Sequence, residues 1–233
     1  MDSKTLFLVL FFFFSLSFVF AQKTSTHEEK YETTSNTIHS GGISIREKRQ
    51  GKGELQGSPY MNDSFLPANI NGTPYNVRYN AYKDEMEYEN NNAKSVYFGV
   101  IGETEVIFNG INKKYIYANY RDDKEYFIGY LIELKKVKQF TLYKREKKTF
   151  TPGIAPKTSY DRQYPDEYKI VKDEFYFKSN EGEILKIPGN KKKFAQLLGE
   201  RENDILNYIK EKDISLTDEN NLKQLFQYLN SNP

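Results

Sequence analysis

Tight-turn motifs divide the middle of this chain into short apolar and aromatic segments. Asn71-Gly72 and Asn109-Gly110 each lie between two such segments, and a two-residue turn of this type requires positive φ at both of its residues. Asn180-Glu181-Gly182 separates two further segments in a similar way. Residues 77–82 alternate between two faces, which is typical of a strand. The chain is therefore predicted to form short antiparallel strands joined by hairpins.

Apolar and aromatic residues predict further strands before Pro188 and helices after it. The further strands are predicted at residues 96–101, 105–108, 115–120, 126–134, 139–145, 168–171, 174–177 and 184–187. Prolines mark residues 151–165 as a long loop. After Pro188 the apolar residues recur at helical spacing in three groups: Phe194, Leu197 and Leu198; Ile205, Leu206 and Ile209; Leu222, Leu225, Phe226 and Leu229. The predicted fold class is α+β, an antiparallel twisted β-sheet (a meander or roll) of about 8–10 strands followed by three short C-terminal α-helices.

An apolar run near the amino terminus predicts export. Residues 6–20 are apolar except for two serines, Lys4 precedes them and Ala21-Gln22 follows, which is the layout of a cleaved signal peptide at residues 1–21. A retained membrane anchor is the alternative, but the run is shorter than the roughly 20 residues that span a bilayer as a helix. We therefore expect an exported protein, periplasmic or secreted, with no transmembrane span after removal of the signal peptide.

A change in polarity separates a linker from the domain that follows it. Residues 22–53 are polar and rich in Ser, Thr and Gly, so they are predicted to be a disordered linker. Residues 54–230 are predicted to be a single α+β domain, β-rich at 54–188 and helical at 189–230. Both histidines of the chain, His27 and His39, fall in the linker.

The composition of the predicted domain excludes several kinds of active site. The chain has no cysteine, and without histidine the domain lacks a Ser-His-Asp triad, a Cys-His pair and a histidine-ligated metal, unless the linker folds back onto it. The sequence contains no phosphate-binding loop, dinucleotide-binding glycine motif or calcium loop. We therefore predict no catalytic residue, no metal site and no cofactor from motifs. A net charge of +2 gives no indication of a nucleic-acid partner.

Residues 78–89, RYNAYKDEMEYE, combine four carboxylates with three tyrosines. When the chain is shifted by 38 residues, Asn71-Gly72 and the acidic residues after it align with Asn109-Gly110 and residues 122–125. Both acidic groups are therefore interpreted as solvated corners of a β-meander, since Asp favours turns. The alternative is a pair of catalytic carboxylates, for which the candidates are Glu85, Glu87, Asp122 and Asp123.

Tyrosines are the main aromatic residues of the predicted domain, and for any single tyrosine core packing is the first interpretation. The alternative is a binding surface, since tyrosines on an exposed sheet face stack on sugar rings or contact a protein. The run Lys191-Lys192-Lys193 is interpreted as a solubility feature, with a contact to an anionic lipid, glycan or nucleic acid as the alternative. The candidate contact residues are Arg78, Tyr79, Tyr82, Tyr88, Tyr117 and Tyr120.

Three groups of residues resemble a family of exported proteins. They are Gly57-Ser58-Pro59-Tyr60 with Asn62-Asp63 and Phe65, then Arg78-Tyr79-Asn80-Ala81-Tyr82 with Asp84-Glu85-Met86-Glu87, and then Lys191-Lys192-Lys193-Phe194 leading into Leu197-Leu198-Gly199. In this order they resemble a group of uncharacterised exported, signal-peptide-bearing proteins of Gram-negative bacteria. The resemblance implies a location in the bacterial envelope, and it implies no catalytic residue.

The function predicted from the sequence is that of a non-catalytic binding or structural module of the periplasm or cell envelope. Its partner is expected to be an envelope protein or a glycan. The alternative is a carboxylate-dependent hydrolase acting on envelope glycans. A concave pocket holding two carboxylates with shifted pKa values would favour the hydrolase over the binding module.

Overall fold

A computed structural model describes residues 53–90, 93–178 and 182–231 of the chain. The predicted signal peptide and all but the last residue of the predicted linker lie outside the described residues, as do His27 and His39. Among the described helices, none has the length and apolar content needed to cross a membrane.

Strands form most of the described fold, and helices follow them. The strands are β1 (Leu66–Ile70), β2 (Thr73–Asn80), β3 (Glu85–Asn90), β4 (Ala93–Tyr97), β5 (Glu105–Phe108), β6 (Lys113–Asp122), β7 (Glu125–Lys136), β8 (Thr141–Arg145), β9 (Lys148–Thr151), β10 (Glu167–Ile170), β11 (Glu174–Lys178) and β12 (Ile184–Lys186). The helices are α1 (Lys191–Leu197), α2 (Glu202–Glu211) and α3 (Glu219–Ser231). The predicted α+β class and the three C-terminal helices are confirmed.

The sheet closes on itself over half of its strands. Ten strands form one sheet in the order β12-β11-β8-β7-β6-β5-β1-β2-β3-β4, and β9 pairs with β10. β12 also pairs with β6, in parallel, through Leu185 and Arg121. This contact closes β6, β7, β8, β11 and β12 into a five-strand barrel. The prediction of a simple antiparallel twisted sheet is therefore wrong in this respect, because a parallel pair between distant strands involves no local turn motif.

β6 can take part in both halves of the sheet because its two ends pair with different strands. Its first residues pair with β5, from Lys113 opposite Phe108 to Ile116 opposite Glu105. Its last residues pair with β12 on the same edge, and β7 runs along the other edge. The strands β5-β1-β2-β3-β4 thus leave the barrel at one end of β6 and pack against the outer face of β6 and β7.

Three apolar clusters follow from this arrangement, because successive side chains of a strand point to opposite faces. The barrel interior contains Ala118, Tyr120, Leu131, Tyr143, Tyr176 and Ile184. Between the barrel and strands β1, β2, β3 and β5 lie Ala68, Ile70, Val77, Tyr79, Ala81, Met86, Val106, Phe108, Tyr115, Tyr130 and Ile132. The helices cover the outer face of β8 and β11, where Leu142, Phe175 and Phe177 pack against their apolar sides.

Helices α1 and α3 begin where the sequence supplies a capping side chain, whereas α2 begins without one in the described part of the chain. The amide oxygen of Asn190 accepts the N–H of Lys193 at 3.0 Å and caps α1. Asp218 Oδ1 accepts the N–H of Asn221 at 2.8 Å at the start of α3. The predicted apolar face of α3 is buried throughout, as shown by Leu222, Leu225, Phe226 and Leu229. Helix α3 therefore anchors the helical layer to the sheet.

Two Asn-Gly pairs of identical sequence adopt different turns. Asn71 and Gly72 have φ of 49° and 83° and join β1 to β2 in the predicted way. Asn109–Ile111 instead forms a short 3-10 turn, and the positive φ falls on Asn112, at 49°. The prediction of a two-residue turn at Asn109-Gly110 is therefore wrong, although the hairpin between β5 and β6 exists.

Candidate functional site

The tyrosines predicted to form a binding face lie at very different depths. Tyr79 lies in the cluster between the two halves of the sheet, and Tyr120 lies inside the barrel. Tyr117 is partly buried, with its ring centroid 4.8 Å from that of Tyr130. Tyr88 packs edge-on against Tyr75 and Tyr97. Tyr82 is exposed and its ring contacts Phe150 and Tyr168. Most of these rings therefore pack inside the fold.

Arg78 and Glu87 form a clamp that holds residues 57–65 against β2 and β3. Arg78 Nε donates to Glu87 Oε2 at 2.8 Å, and its guanidinium lies 3.6 Å from the ring centroid of Tyr60. The ring of Phe65 also packs against this guanidinium, with its centroid 4.4 Å from Arg78 Cζ. Residues 57–65 and residues 78–87 thus contact each other here. Glu85 lies half-buried nearby, in the first position of β3.

Five charged side chains form a continuous series of alternating sign at one end of the barrel, here called the charge chain. Asp84 Oδ2 lies 3.7 Å from Arg145, and Arg145 lies 3.5 Å from Glu174 Oε2. Lys186 Nζ bridges the other end, at 2.7 Å from Glu174 Oε1 and 2.6 Å from Asp122 Oδ2. The two ends of the charge chain, Asp84 and Asp122, are the residues that the 38-residue shift aligns.

The strands place the charge chain by simple alternation. Asp122, Arg145, Glu174 and Lys186 each lie two residues from an interior side chain of the barrel, so they share its face at the end of each strand. Asp84 arrives from the turn between β2 and β3, where its φ is 60°. The charge chain therefore covers the end of an apolar and tyrosine-rich interior.

Asp84 also completes the hydrogen bonding of β7. β8 pairs with β7 only as far as Ile132, and beyond that point Asp84 Oδ1 accepts the N–H of Tyr130 at 3.1 Å. The same oxygen accepts the hydroxyl of Tyr79 at 2.8 Å. A Cβ on Gly129 would lie 2.1 Å from Asp84 Oδ2, so glycine is required beneath the carboxylate. Asp84 is therefore a partly buried structural acceptor, and the interpretation of a solvated corner does not describe it.

Burial and pairing shift the pKa values of the charge chain in opposite directions. Burial raises the pKa of Asp84, against the effects of the Tyr79 hydroxyl, the Tyr130 N–H and Arg145. Burial would also raise the pKa of Glu174, but the hydrogen bond and charge of Lys186 and the charge of Arg145 lower it overall. One carboxyl group is thus shifted toward the neutral form and the other is held ionised.

Two buried polar atoms, one in the charge chain and one in the barrel interior, have no hydrogen-bond partner among the described residues. They are the Tyr120 hydroxyl and Arg145 Nε. Tyr120 is only 2% exposed, and burial, first among the causes, raises its pKa to about 12. The Arg145 guanidinium lies 5.5 Å from the Tyr120 ring centroid, so the cation faces the ring.

A cavity of about 320 Å³ opens beside the Lys186 end of the charge chain, between the β6–β7 turn, β12 and α1; we call it the rim cavity. Arg121, Lys186 and Lys193 are its cations, and Asp123 is its carboxylate. Leu185, Pro188 and Leu197 form an apolar wall, and Leu197 is 47% exposed. The cavity therefore combines an excess of positive charge with an accessible apolar surface.

An exposed aromatic ring adjoins the rim cavity. Tyr126 is 68% exposed and lies opposite Arg121 in the β6–β7 register. Its ring centroid lies 6.0 Å from Arg121 Cζ, and its hydroxyl donates to Glu183 Oε1 at 3.1 Å. Glu183 also pairs with Arg121, at 3.2 Å. Tyr126 is therefore held in place by its edge while its face remains accessible.

A second cavity, of about 530 Å³, lies among β5, β6, β7, β8 and α3. Its lysines are all paired, with Nζ-to-carboxylate distances of 2.8 Å for Lys113 and Glu146, 2.6 Å for Lys114 and Glu105, 2.9 Å for Lys144 and Glu219, and 2.6 Å for Lys223 and Glu219. Carboxylates of the fold thus balance these cations. The contacts of Glu146, which is 5% exposed, tie β6 to β8.

The carboxylates proposed from the sequence as catalytic do not converge on one pocket. Asp123 lines the rim cavity, and Asp122 lines a separate pocket at the β6–β7 turn together with Asp123. Glu87 is instead part of the Arg78 clamp. Asp84 and Glu174, the charge-chain carboxylates with opposite pKa shifts, line neither cavity. Among the described residues no group of three or more His, Cys, Asp or Glu side chains is suited to a metal ion.

Sequence reasoning located part of this region. It noted Lys193 within the lysine run, Tyr126 as the first residue of a predicted strand, and Asp122 and Asp123 as acidic candidates. It missed Arg145, Glu174 and Lys186, because no motif surrounds them and only the barrel brings them together.

No family model, curated protein or solved structure matches the chain.

Proposed function

We propose that the protein is an exported, non-catalytic binding module of the periplasm or cell envelope, and that its ligand binds in the rim cavity. The observation that carries this proposal is the combination of three cations, one carboxylate and an accessible apolar wall around about 320 Å³. This volume falls within the range of small-ligand sites, which are mostly apolar with a few convergent polar groups. The apolar run at residues 6–20 and the resemblance to exported proteins support the location.

Two measurements test this proposal. The intact mass of the protein recovered from its native envelope is expected to correspond to a chain that begins at Gln22. The same protein is expected to cosediment with isolated envelope material, and Tyr126→Ala is expected to reduce the sedimented fraction. Tyr160→Ala is the matched control, because Tyr160 is 98% exposed and lies between β9 and β10, whereas Tyr126 contacts Arg121 on the cavity lining. Equal losses for the two variants would contradict a ligand site at the rim.

One observation favours hydrolysis as a second candidate function. Asp84 and Glu174 have pKa values shifted in opposite directions, as a general acid and its partner carboxylate require. Both carboxylates form ion pairs with Arg145, however. Neither of them lines the rim cavity or the second cavity. The binding module therefore remains the first proposal. Release of reducing sugar from envelope glycans by the protein, abolished in Asp84→Asn, would instead support the hydrolase.

A further inference from the structure

We infer that the ligand of the rim cavity is an acidic saccharide, whose ring stacks on Tyr126 and whose carboxylate is held by Lys193 with Arg121. This inference rests on the proposed function and names the chemical class of its ligand. It depends on three observations: which cations of the rim cavity are already paired, the exposure of the Tyr126 ring beside Arg121, and the volume of the cavity.

The cations of the rim cavity differ in how far the fold already satisfies them. Lys186 is held by Asp122 and Glu174 in the charge chain, and Arg121 pairs with Glu183 at 3.2 Å. The Lys193 ammonium is exposed and has no ion-pair partner among the described residues. One free ammonium beside a guanidinium with further donors suits a single carboxylate group.

Tyr126 supplies the stacking surface. Its hydroxyl is bound to Glu183 and Arg121 lies over its ring at 6.0 Å, while 68% of the residue stays exposed. A fixed aromatic ring gives contact area at low cost in conformational entropy, which suits the apolar face of a sugar ring. Because Arg121 lies opposite Tyr126 in the register, the ring and the cation lie side by side.

The space fits a short saccharide. About 320 Å³ lies at the small end of ligand cavities, and Leu197 on the lining is 47% exposed, so the cavity is continuous with the surface there. A chain of sugar residues can therefore place one acidic ring in the cavity and continue over the surface. An acidic peptide is the competing occupant, and it becomes an outcome of the test.

Two variants and two matched controls isolate the inferred contacts. Lys193→Gln removes the free ammonium, and Lys192→Gln removes an exposed lysine of the same helix that does not line the cavity. Tyr126→Ala removes the stacking ring, and Tyr160→Ala removes an exposed tyrosine from a distant loop. All four side chains are exposed, so loss of folding is not expected to confuse the comparison.

Isothermal titration calorimetry with trigalacturonate and its methyl ester tests the inference, since the two probes have the same rings and differ in charge. We expect trigalacturonate to bind at least about tenfold more tightly than the ester. Lys193→Gln is expected to weaken the acid about tenfold and leave the ester unchanged. Tyr126→Ala is expected to weaken both probes, and the controls are expected to leave both unchanged.

Several results would overturn the inference. Equal affinity for trigalacturonate and its ester would show that the site does not recognise the carboxylate. Displacement of trigalacturonate by inorganic phosphate at equal concentration would show that the site is only a cluster of cations. Tighter binding of a short polyglutamate peptide would replace the saccharide with a peptide. If trigalacturonate fails to bind while envelope cosedimentation still depends on Tyr126, only the ligand class is wrong. If both fail, the proposed function is wrong as well.

Discussion

Gly129 lies directly beneath the carboxylate of Asp84, where β7 has run past the end of its pairing with β8. The residue type of Asp84 favours a turn, and its positive φ was within reach of sequence reasoning. Its partners were not, because Arg145 and Tyr130 are distant in the chain and neither belongs to a motif. A residue interpreted as solvated thus serves as a hydrogen-bond acceptor for the sheet.

Gly129→Ala is expected to destabilise the protein by about 1–3 kcal/mol, because the new Cβ would overlap Asp84 Oδ2 and displace the carboxylate. Urea unfolding followed by far-UV circular dichroism measures the change. Gly189→Ala is the control, since a Cβ there meets no atom within 4 Å, and it is expected to change stability by less than about 0.5 kcal/mol. Similar losses for both variants would show that the close approach at Gly129 is not the cause.

Glu174→Gln is expected to lower the free energy of unfolding by about 1–2 kcal/mol at neutral pH, because Lys186 and Arg145 lose a charged partner. The folded-state pKa of Glu174 is lower than its unfolded value, so its contribution is complete above about pH 4.3 and is lost as the pH falls through the folded pKa. The difference between the two proteins is therefore expected to shrink in acid.

The pKa shift of Asp84 affects stability in the opposite direction. Because its folded-state pKa is raised, its contribution to the free energy of unfolding is present below the unfolded pKa and is lost as the pH rises through the folded pKa. Since Asp84 is present in both proteins, its own contribution largely cancels in their difference. Urea unfolding from about pH 7 to about pH 3 measures that difference. Glu103→Gln, at an exposed glutamate, is the control and is expected to show no such trend. A Glu174→Gln effect independent of pH would contradict the pairing.

At the scale of elements, the strand order of the two segments related by the 38-residue shift was predicted better than the conformation of their turns. Both β1–β2–β3 and β5–β6–β7 follow the predicted order of hairpin, strand, acidic turn and strand. The bounds of β1 were not predicted, only its place in the hairpin at Asn71-Gly72, because Leu66–Ile70 carries a proline and a polar residue. β9 was not predicted, because Lys148–Thr151 is short and mostly polar. Identical Asn-Gly pairs gave different turns, so the dipeptide alone did not determine the backbone.

The two glycines of these pairs test that difference directly. Gly72→Ala is expected to cost about 1 kcal/mol, because Gly72 has φ of 83°, which disfavours a residue with a Cβ. Gly110→Ala is expected to change stability by less than about 0.5 kcal/mol, because its position in the 3-10 turn Asn109–Ile111 needs no positive φ. Neither new Cβ meets an atom within 4 Å, so thermal unfolding compares backbone conformation alone. Equal costs would contradict the two turn assignments.

At the scale of the molecule, the α+β class, most strands and all three helices followed from local patterns, and the closure of the barrel did not. Closure depends on one parallel contact between Arg121 and Leu185, and neither residue has a local feature that predicts it. The rim cavity exists only because of this closure, since it lies between the β6–β7 turn, β12 and α1. The candidate site was therefore visible in the sequence only as scattered charges and one tyrosine.

Mapping the binding surface by amide NMR tests the central claim most directly. The protein, labelled with nitrogen-15, would be titrated with trigalacturonate while its two-dimensional amide spectrum is recorded. The predicted result is that the largest shifts fall on the β6–β7 turn, β12 and α1, and that β4 and the pair β9 and β10 do not change. Shifts centred on the lysine-lined cavity beside α3, or no shifts at all, would contradict a ligand site at the rim of the barrel.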